Sequence, residues 1–147
     1  MTKENNKQHS DSTRKTGVVF GATGLVGKAL VRLLLSDNNF ERVIAVVRNY
    51  IPIANEKLVQ VKIRDYSELN NHRDELAAGI YFCCTGTTIG KAGSREAFRK
   101  VDHDIPVTIA QLANDLMVPA FVVISSIGAN ASSSNFYLRT KGEMEQS

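Results

Sequence analysis

Short apolar segments alternate with segments of mixed polarity along most of this chain. Two of them, Thr16–Phe20 and Glu41–Val47, are nearly continuous in apolar residues, which is typical of strands buried on both faces of a sheet. Ile80–Cys84 and Phe121–Ser125 are also predicted to be strands. Leu58–Ile63 instead alternates apolar and polar residues. That alternation predicts a fifth strand with one exposed face, as at the edge of a sheet.

The segments between the predicted strands carry apolar residues at helical spacing. The clearest stripe runs over Leu25–Leu35, and weaker patterns predict helices over Tyr66–Ala78, Ser94–Val101, Pro106–Met117 and Asn135–Gln146. Strands that alternate with helices are joined by crossovers, which give a parallel sheet covered on both faces. We therefore predict an α/β domain over residues 16–147. It should be a doubly wound Rossmann-type sheet of about five strands in the order 3-2-1-4-5.

A glycine-rich turn joins the first predicted strand to the first helix. It reads GATGLVG, with Gly21, Gly24 and Gly27 three residues apart. Gly21 permits the tight turn, Gly24 lets a pyrophosphate approach the backbone, and Gly27 lets the helix lie close to the sheet. The helix N-terminus then presents its N–H groups to the phosphates. This context favours a dinucleotide site over a turn that serves packing alone. Further contacts are expected at Thr23, Leu25 and Val26.

The residue after the second strand bears on which dinucleotide binds. An NAD site usually has an acidic residue there, which accepts a hydrogen bond from the ribose 2′-hydroxyl. Here the strand ends VVRN, with Arg48 in that place and no carboxylate beside it. A guanidinium pairs with a 2′-phosphate and stacks on adenine, although an arginine can also simply face solvent. We expect NADP rather than NAD as the cofactor.

Residues after the third and fourth strands are further candidates for cofactor contact. The carboxyl ends of parallel strands line the ligand crevice in this topology. Asp65 follows the third strand and either meets the adenine amino group or caps the next helix, and the sequence leaves both open. Thr85, Gly86 and Thr87 follow the fourth strand, where small residues let the backbone pass close to a cofactor.

A second set of residues suits hydride chemistry. Tyr137 and Lys141 stand four apart on a predicted helix and so share a face, while Ser125 and Ser126 end the fifth strand at the same crevice. A tyrosine hydroxyl has a reference pKa of about 10, and a nearby ammonium lowers that pKa. Tyr137 could then exchange a proton with a carbonyl oxygen, while Lys141 donates to the nicotinamide ribose and a serine holds the substrate oxygen. A surface pair without a role is the alternative.

Composition and charge exclude several classes of function. The chain has 147 residues, of which 43% are hydrophobic, and a net charge of +3. No apolar run is long enough to span a bilayer, and the polar start lacks the apolar middle of a secretory signal, so we expect a cytoplasmic location. Residues 1–15 are expected to be a disordered polar tail and not a nucleic-acid arm, because a nucleic-acid footprint needs a dense basic stripe.

The cysteines and histidines predict neither a disulfide nor a metal site. Cys83 and Cys84 are adjacent, so on a strand they point to opposite faces and a bond between them would be strained. We expect two free thiols in a reducing compartment. The three histidines show no spacing typical of metal ligands.

Four segments resemble the atypical short-chain dehydrogenase/reductase family, and within it the Tat-interactive-protein-like oxidoreductases and their bacterial relatives: GATGLVG, FCCTGTTIGKAG, FRKVDHD and SSIGANASSSNFYLRTKGEME. The resemblance implies a Rossmann fold, NADPH binding and a Ser–Tyr–Lys site. Its glycines match the phosphate loop, and Arg48 matches a basic residue after the second strand. The catalytic residues that it implies are Ser126, Tyr137 and Lys141. Of the two serines after the fifth strand, the second is the usual one.

The chain ends six residues after Lys141, whereas members of this family continue with a further strand and with the walls of the substrate pocket. We therefore expect a C-terminally truncated Rossmann domain whose cofactor side is more complete than its substrate side. Two functions stay open. One is an NAD(P)H-dependent oxidoreductase that transfers hydride to or from a carbonyl or alcohol. The other is a non-catalytic NADPH-binding module that senses the cofactor or docks a partner. A homodimer also stays open.

Overall fold

The computed structural model describes residues 15–147, in which five strands form one parallel sheet. The strands are β1 (Lys15–Phe20), β2 (Phe40–Val47), β3 (Leu58–Lys62), β4 (Ile80–Cys83) and β5 (Ala120–Val123). Their order is β3-β2-β1-β4-β5, and every neighbouring pair is parallel. The predicted Rossmann-type order is confirmed, and so is the position of β3 at a sheet edge. Of the predicted tail, residues 1–14 lie outside the described residues, and Lys15 begins β1.

Helices and one 3₁₀ helix connect the strands. They are α1 (Leu25–Ser36), the 3₁₀ helix Tyr66–His72, α2 (Ile89–Ala92), α3 (Arg95–Arg99), α4 (Ile105–Asp115) and α5 (Phe136–Gln146). The helix predicted over Tyr66–Ala78 is shorter than expected, since regular structure ends at His72. Asn70 and Asn71 stand in its last turn, and asparagine side chains compete with helical hydrogen bonds.

A π-helical turn, Lys100–Asp104, joins α3 to α4. The N–H of Ile105 donates to the carbonyl of Lys100, five residues back. Pro106 follows immediately, and a proline has no N–H to offer the carbonyl four residues earlier, against which its ring also presses. The helix therefore widens for one turn where a regular hydrogen bond to Asp102 is lost. The two helices predicted over residues 94–101 and 106–117 are consequently one continuous helical segment.

The core lies on both faces of the sheet, because neighbouring residues of a strand point to opposite sides. Val18 and Phe20 of β1 pack on one face with Ile44, Tyr81 and Ile109. On the other face, Val19 of β1 packs with residues of α1 and β2: Val31, Leu34, Val43 and Ala45. Because both faces of the sheet are covered, the carboxyl ends of the central strands remain accessible to a ligand. The turns that follow those ends form the site described below.

Candidate functional site

A cleft of about 1230 Å³ opens at the carboxyl ends of β1 to β4. Its floor consists of the turns that follow these strands, and its far wall consists of α3, the π-helical turn and the start of α4. Seven of the twelve predicted cofactor contacts line the cleft: Gly21, Thr23, Gly24, Arg48, Asp65, Thr85 and Gly86. The remaining five, which are absent from its lining, are Leu25, Val26, Gly27, Thr87 and Lys141.

The glycine-rich turn is shaped by close backbone contacts. Gly21 has a φ of +75°, and a Cβ there would lie 2.8 Å from the carbonyl carbon of Cys84. A Cβ on Gly27 would overlap the carbonyl oxygen of Gly21 and lie 2.8 Å from its carbonyl carbon. Both positions therefore exclude a side chain, and the turn between β1 and α1 depends on them.

Gly24 differs from these two glycines. Its φ is −75°, which any residue adopts, and a Cβ there would only meet the Gly21 carbonyl oxygen at 3.4 Å, an ordinary contact. The fold itself therefore does not require glycine at this position. The missing side chain leaves open space at the cleft edge, as the approach of a pyrophosphate to the backbone needs.

The N-terminus of α1 offers free donors beside this space. Gly24 is the N-cap, no side chain caps the helix, and its first turn has no acidic residue. The first N–H groups of a helix have no partner within it, and the helix dipole favours negative charge there. Leu25 and Val26 are 91% and 51% exposed, so the first turn of the helix lies at the protein surface. The turn and the helix start together fit a phosphate group.

Arg48 lies at the rim of the cleft, directly after β2. Its side chain is exposed, and it forms no ion pair with any residue in the described range 15–147. Arg64 lies on the same rim, but its Nε is 2.7 Å from Glu68 Oε1. Of these two guanidinium groups, that of Arg48 is therefore the one free to meet an anionic ligand.

Asp65 caps the 3₁₀ helix that follows β3. Its Oδ1 accepts hydrogen bonds from the N–H of Ser67 at 2.8 Å and from the Ser67 hydroxyl. These bonds, the hydroxyl's first, hold the pKa of Asp65 below its usual value. The capping alternative is therefore observed, and the same residue also lines the cleft. Oδ1 accepts both hydrogen bonds from Ser67. A contact between the other carboxylate oxygen, Oδ2, and adenine stays a prediction.

Tyr66 also lines the cleft, and sequence reasoning missed it. It was assigned only to a helix, and no spacing pattern marks it out. Burial raises the pKa of Tyr66 to about 12. Its hydroxyl therefore stays protonated at neutral pH and can act as a neutral hydrogen-bond donor in the cleft.

The segment after β4 connects the cleft to a buried ion pair. Thr85 and Gly86 line the cleft, and the N–H of Thr87 donates to Asp102 Oδ2 at 2.9 Å.

Cys83 and Cys84, which precede this segment, are free, and burial raises the pKa of the Cys84 thiol to about 11. A thiol with such a pKa is protonated at neutral pH and is a poor nucleophile.

Tyr137 and Lys141 lie one turn apart on α5, as predicted. Asn135 caps this helix by accepting the N–H of Leu138 at 3.1 Å. The ring of Tyr137 packs against Phe98 of α3, with 5.4 Å between the centroids. Lys141 is only 3% exposed, and its Nζ lies 2.6 Å from Oδ1 of Asp102.

Asp102 is the most informative residue that the sequence analysis did not select. It is 1% exposed and stands in the π-helical turn. Its segment FRKVDHD contributed only to the family resemblance. A helical pattern gives no sign that one carboxylate of this segment faces inward, because the π-helical turn changes the direction of each side chain within it.

The two serines follow β5 and do not end it, because the strand stops at Val123 and not at Ser125 as predicted. The Ser125 hydroxyl is buried and has no hydrogen-bond partner within the described part of the chain. The Ser126 hydroxyl donates to the carbonyl of Ile127 at 3.4 Å. No hydrogen bond joins Ser126 to Tyr137 or Lys141 over residues 15–147, and these three side chains do not line the cleft.

Within the described residues, no group of three His, Cys, Asp or Glu side chains is arranged to hold a metal ion. None of the helices found there has the length and apolar character needed to cross a membrane.

Comparison with known proteins identifies the family. The NAD(P)H-binding family matches residues 21–146, from the glycine-rich turn to the end of α5. The chain belongs to this family. The predicted relationship to the atypical short-chain dehydrogenases/reductases is confirmed.

Curated relatives share about a third of their residues with this chain. It is 34% identical to Protein FMP52-1, mitochondrial, of Scheffersomyces stipitis over 87% of this chain and 58% of that protein. It is also 34% identical to Protein HTATIP2 of Rattus norvegicus, over 89% of this chain and 55% of the relative. The chain therefore spans just over half the length of these relatives.

Solved structures show the same fold at low sequence identity. A crystal structure of uronate dehydrogenase from Agrobacterium tumefaciens matches with a TM-score of 0.71 and 17% identity, over 90% of this chain and 53% of that one. The Bordetella bronchiseptica enzyme WbmG in complex with NAD and UDP matches with a TM-score of 0.72 and 11% identity, over 91% of this chain and 49% of that one. At such identities, these matches describe the fold alone.

The comparison corrects one prediction. The expected cytoplasmic location is wrong, because four of the FMP52 relatives are named mitochondrial proteins. The prediction of location rests on the polar start of the sequence, which lacks the apolar middle of a secretory signal. Mitochondrial targeting segments are amphipathic and rich in arginine and serine, and that argument does not detect them.

Proposed function

We propose that this chain binds NADPH in the cleft and acts in hydride transfer to or from a carbonyl or alcohol. One observation carries the proposal. Three features lie around the same cleft: the uncapped N-terminus of α1, Gly24, where the fold does not require a glycine, and the unpaired Arg48. The first two suit a diphosphate, and Arg48 suits the 2′-phosphate that distinguishes NADP from NAD.

NADPH supplies the hydride when bound, and the residues of this chain supply the proton and the orientation. Tyr137 is proposed as the proton donor to a carbonyl oxygen, or the acceptor from an alcohol in the reverse direction. Lys141 is proposed to favour the phenolate form of that tyrosine through its positive charge.

A serine hydroxyl after β5 is proposed to hold the substrate oxygen. Family resemblance favours Ser126. The buried and unpartnered hydroxyl of Ser125 favours that residue instead, since a buried hydroxyl without a partner is costly. The contacts proposed for Leu25, Val26 and Gly27 are backbone contacts, whereas the Thr87 N–H already donates to Asp102 and leaves the side chain and the carbonyl of Thr87 for a contact.

A non-catalytic NADPH-binding module is the second candidate. Its support is that Tyr137, Lys141 and Ser126 do not line the cleft and that the Lys141 ammonium already has a buried partner. Such a module would bind the adenine and phosphate half of the cofactor and use it as a signal, alone or as a homodimer.

Titration followed by a turnover assay separates the two candidates. The chain is titrated with NADPH and NADH, and NADPH oxidation is then followed with a panel of small aldehydes and ketones. Tyr137→Phe should abolish oxidation and leave NADPH binding unchanged, because it removes the proton donor alone. Tyr50→Phe is the matched control, since Tyr50 is 65% exposed and does not line the cleft.

Each outcome assigns the function. Oxidation that depends on Tyr137 supports the enzyme. Binding of NADPH without oxidation by the unaltered chain supports the binding module. A chain that binds neither dinucleotide contradicts both, and oxidation that survives in Tyr137→Phe contradicts the assigned proton donor.

A further inference from the structure

Two oppositely charged side chains meet in the interior between α5 and the π-helical turn. Lys141 Nζ and Asp102 Oδ1 are 2.6 Å apart, and the two residues are 3% and 1% exposed. Transfer of a charge from water to such a site costs several kcal/mol, so each partner depends on the other.

The second oxygen of this carboxylate reaches the cleft segment. Asp102 Oδ2 accepts the N–H of Thr87, and a Cβ added to Gly86 would lie 3.5 Å from Oδ1. Gly86 itself lines the cleft. One carboxylate therefore connects the backbone after β4 with the ammonium on α5.

The ammonium keeps donors to spare. A lysine ammonium has three N–H donors, and Asp102 is the one acidic partner that Lys141 has within residues 15–147. The carboxylate fixes the direction of the remaining donors relative to the segment after β4. A long lysine side chain would otherwise sample many rotamers, and this freedom would be lost on binding.

We propose that Asp102 is a positioning residue that holds the Lys141 ammonium directed toward the nicotinamide half of the cofactor. The inference rests on the proposed function and on the role expected from the sequence, in which Lys141 donates to the nicotinamide ribose. Asp102 acts through Lys141, and the hydrogen bond from the Thr87 N–H holds its carboxylate in place.

The test compares two ligands that share the adenine half. NADPH contains the nicotinamide ribose, whereas 2′,5′-ADP has the adenosine and the 2′-phosphate but lacks that ribose. Asp102→Asn keeps the shape of the side chain and an oxygen for Thr87, and it removes the charge. Asp115→Asn is the control, because this carboxylate lies at the end of α4 with 56% of its side chain exposed and does not line the cleft.

Asp102→Asn should weaken NADPH about tenfold or more, as expected when a charge-assisted hydrogen bond is lost. The affinity for 2′,5′-ADP should stay unchanged, and Asp115→Asn should change neither. A residue that only supports the fold would weaken both ligands alike or neither, so either of those results overturns the inference.

A double-mutant cycle tests the route through Lys141. If Asp102 acts through the lysine, adding Asp102→Asn to Lys141→Met causes no further loss of NADPH affinity. Losses that multiply show an independent action of Asp102 and overturn the inference.

Isotope-edited NMR on the unaltered chain carries the test if Asp102→Asn fails to fold. The Lys141 ¹³Cε signal, assigned by its loss in Lys141→Met, should shift on addition of NADPH and not of 2′,5′-ADP. If the chemical shift of this signal does not change on addition of NADPH, the inference is overturned. Failure of the proposed function has a different signature, because the unaltered chain would then bind neither ligand.

Discussion

Replacement of Gly24 should separate cofactor binding from folding. A Cβ at Gly24 meets only the Gly21 carbonyl oxygen, at 3.4 Å, and the backbone there suits any residue. Alanine is a slightly poorer N-cap than glycine, but it also restricts the unfolded chain, and the two effects are each below about 1 kcal/mol and opposite in sign. We therefore expect Gly24→Ala to change the free energy of unfolding by less than about 0.5 kcal/mol.

The same methyl group occupies the space that a pyrophosphate would use. We expect Gly24→Ala to weaken NADPH at least about tenfold, which corresponds to about 1.4 kcal/mol, and Gly24→Val to weaken it further. Gly27→Ala is the matched contrast, because its Cβ would overlap the Gly21 carbonyl oxygen. Overpacking of this kind costs about 1–3 kcal/mol, so this variant should lose stability before any ligand is added.

Urea unfolding measures the stability of each variant, and calorimetric titration measures its affinity for NADPH. The expected pattern is a folded Gly24→Val that binds NADPH more weakly than Gly24→Ala does, and a Gly27→Ala that is destabilised. If Gly24→Val binds NADPH as tightly as the unaltered chain, no diphosphate approaches this turn and the site assignment is refuted.

Two further predictions concern charged groups. Arg48→Ala should weaken NADPH about ten- to a hundredfold and NADH much less, because a charge-assisted bond to the 2′-phosphate is lost; Arg64→Ala is the control, since Arg64 already pairs with Glu68, and equal losses for both dinucleotides would remove the argument. The hydrogen bond from Arg99 holds the pKa of Glu143 below its usual value of 4.5. The pair therefore stabilises the fold above that pH and loses its effect as the pH falls through the folded-state pKa. Urea unfolding as a function of pH should find Glu143→Gln less stable than the unaltered chain at neutral pH and equal to it in acid, and a pH-independent difference would contradict this.

Much of the fold is predictable from local patterns. The continuous apolar runs correspond to β1, β2 and β4, and the alternating run corresponds to the edge strand β3. Polarity identifies only one of the two edges, because β5 lies at the other edge of the sheet although its segment is nearly continuous in apolar residues. The glycine-rich turn is also predictable from the sequence, because its backbone geometry depends on the absence of side chains at Gly21 and Gly27.

The site was predictable only where it depends on local backbone. The cleft contains the turns after β1 to β4, as expected, because strand ends meet at one edge whatever the side chains are. The partners of Lys141 and Thr87 depend instead on which way Asp102 points within a helix. Strict helical periodicity predicts the wrong direction when Pro106 removes a hydrogen bond and the helix widens.

The widened turn has a consequence for how the chain tolerates insertions and deletions. A π-helical turn holds one residue more than the regular spiral, as if a single amino acid had been added to it. Loss of one residue from Lys100–Asp104 would restore the ordinary winding, so the side chains within this segment would take new directions while α3 and α4 kept nearly the same relative orientation. The Asp102 carboxylate would then lose its present direction toward Lys141 of α5. Single-codon length changes in this short segment should therefore be far more disruptive than substitutions of its exposed residues.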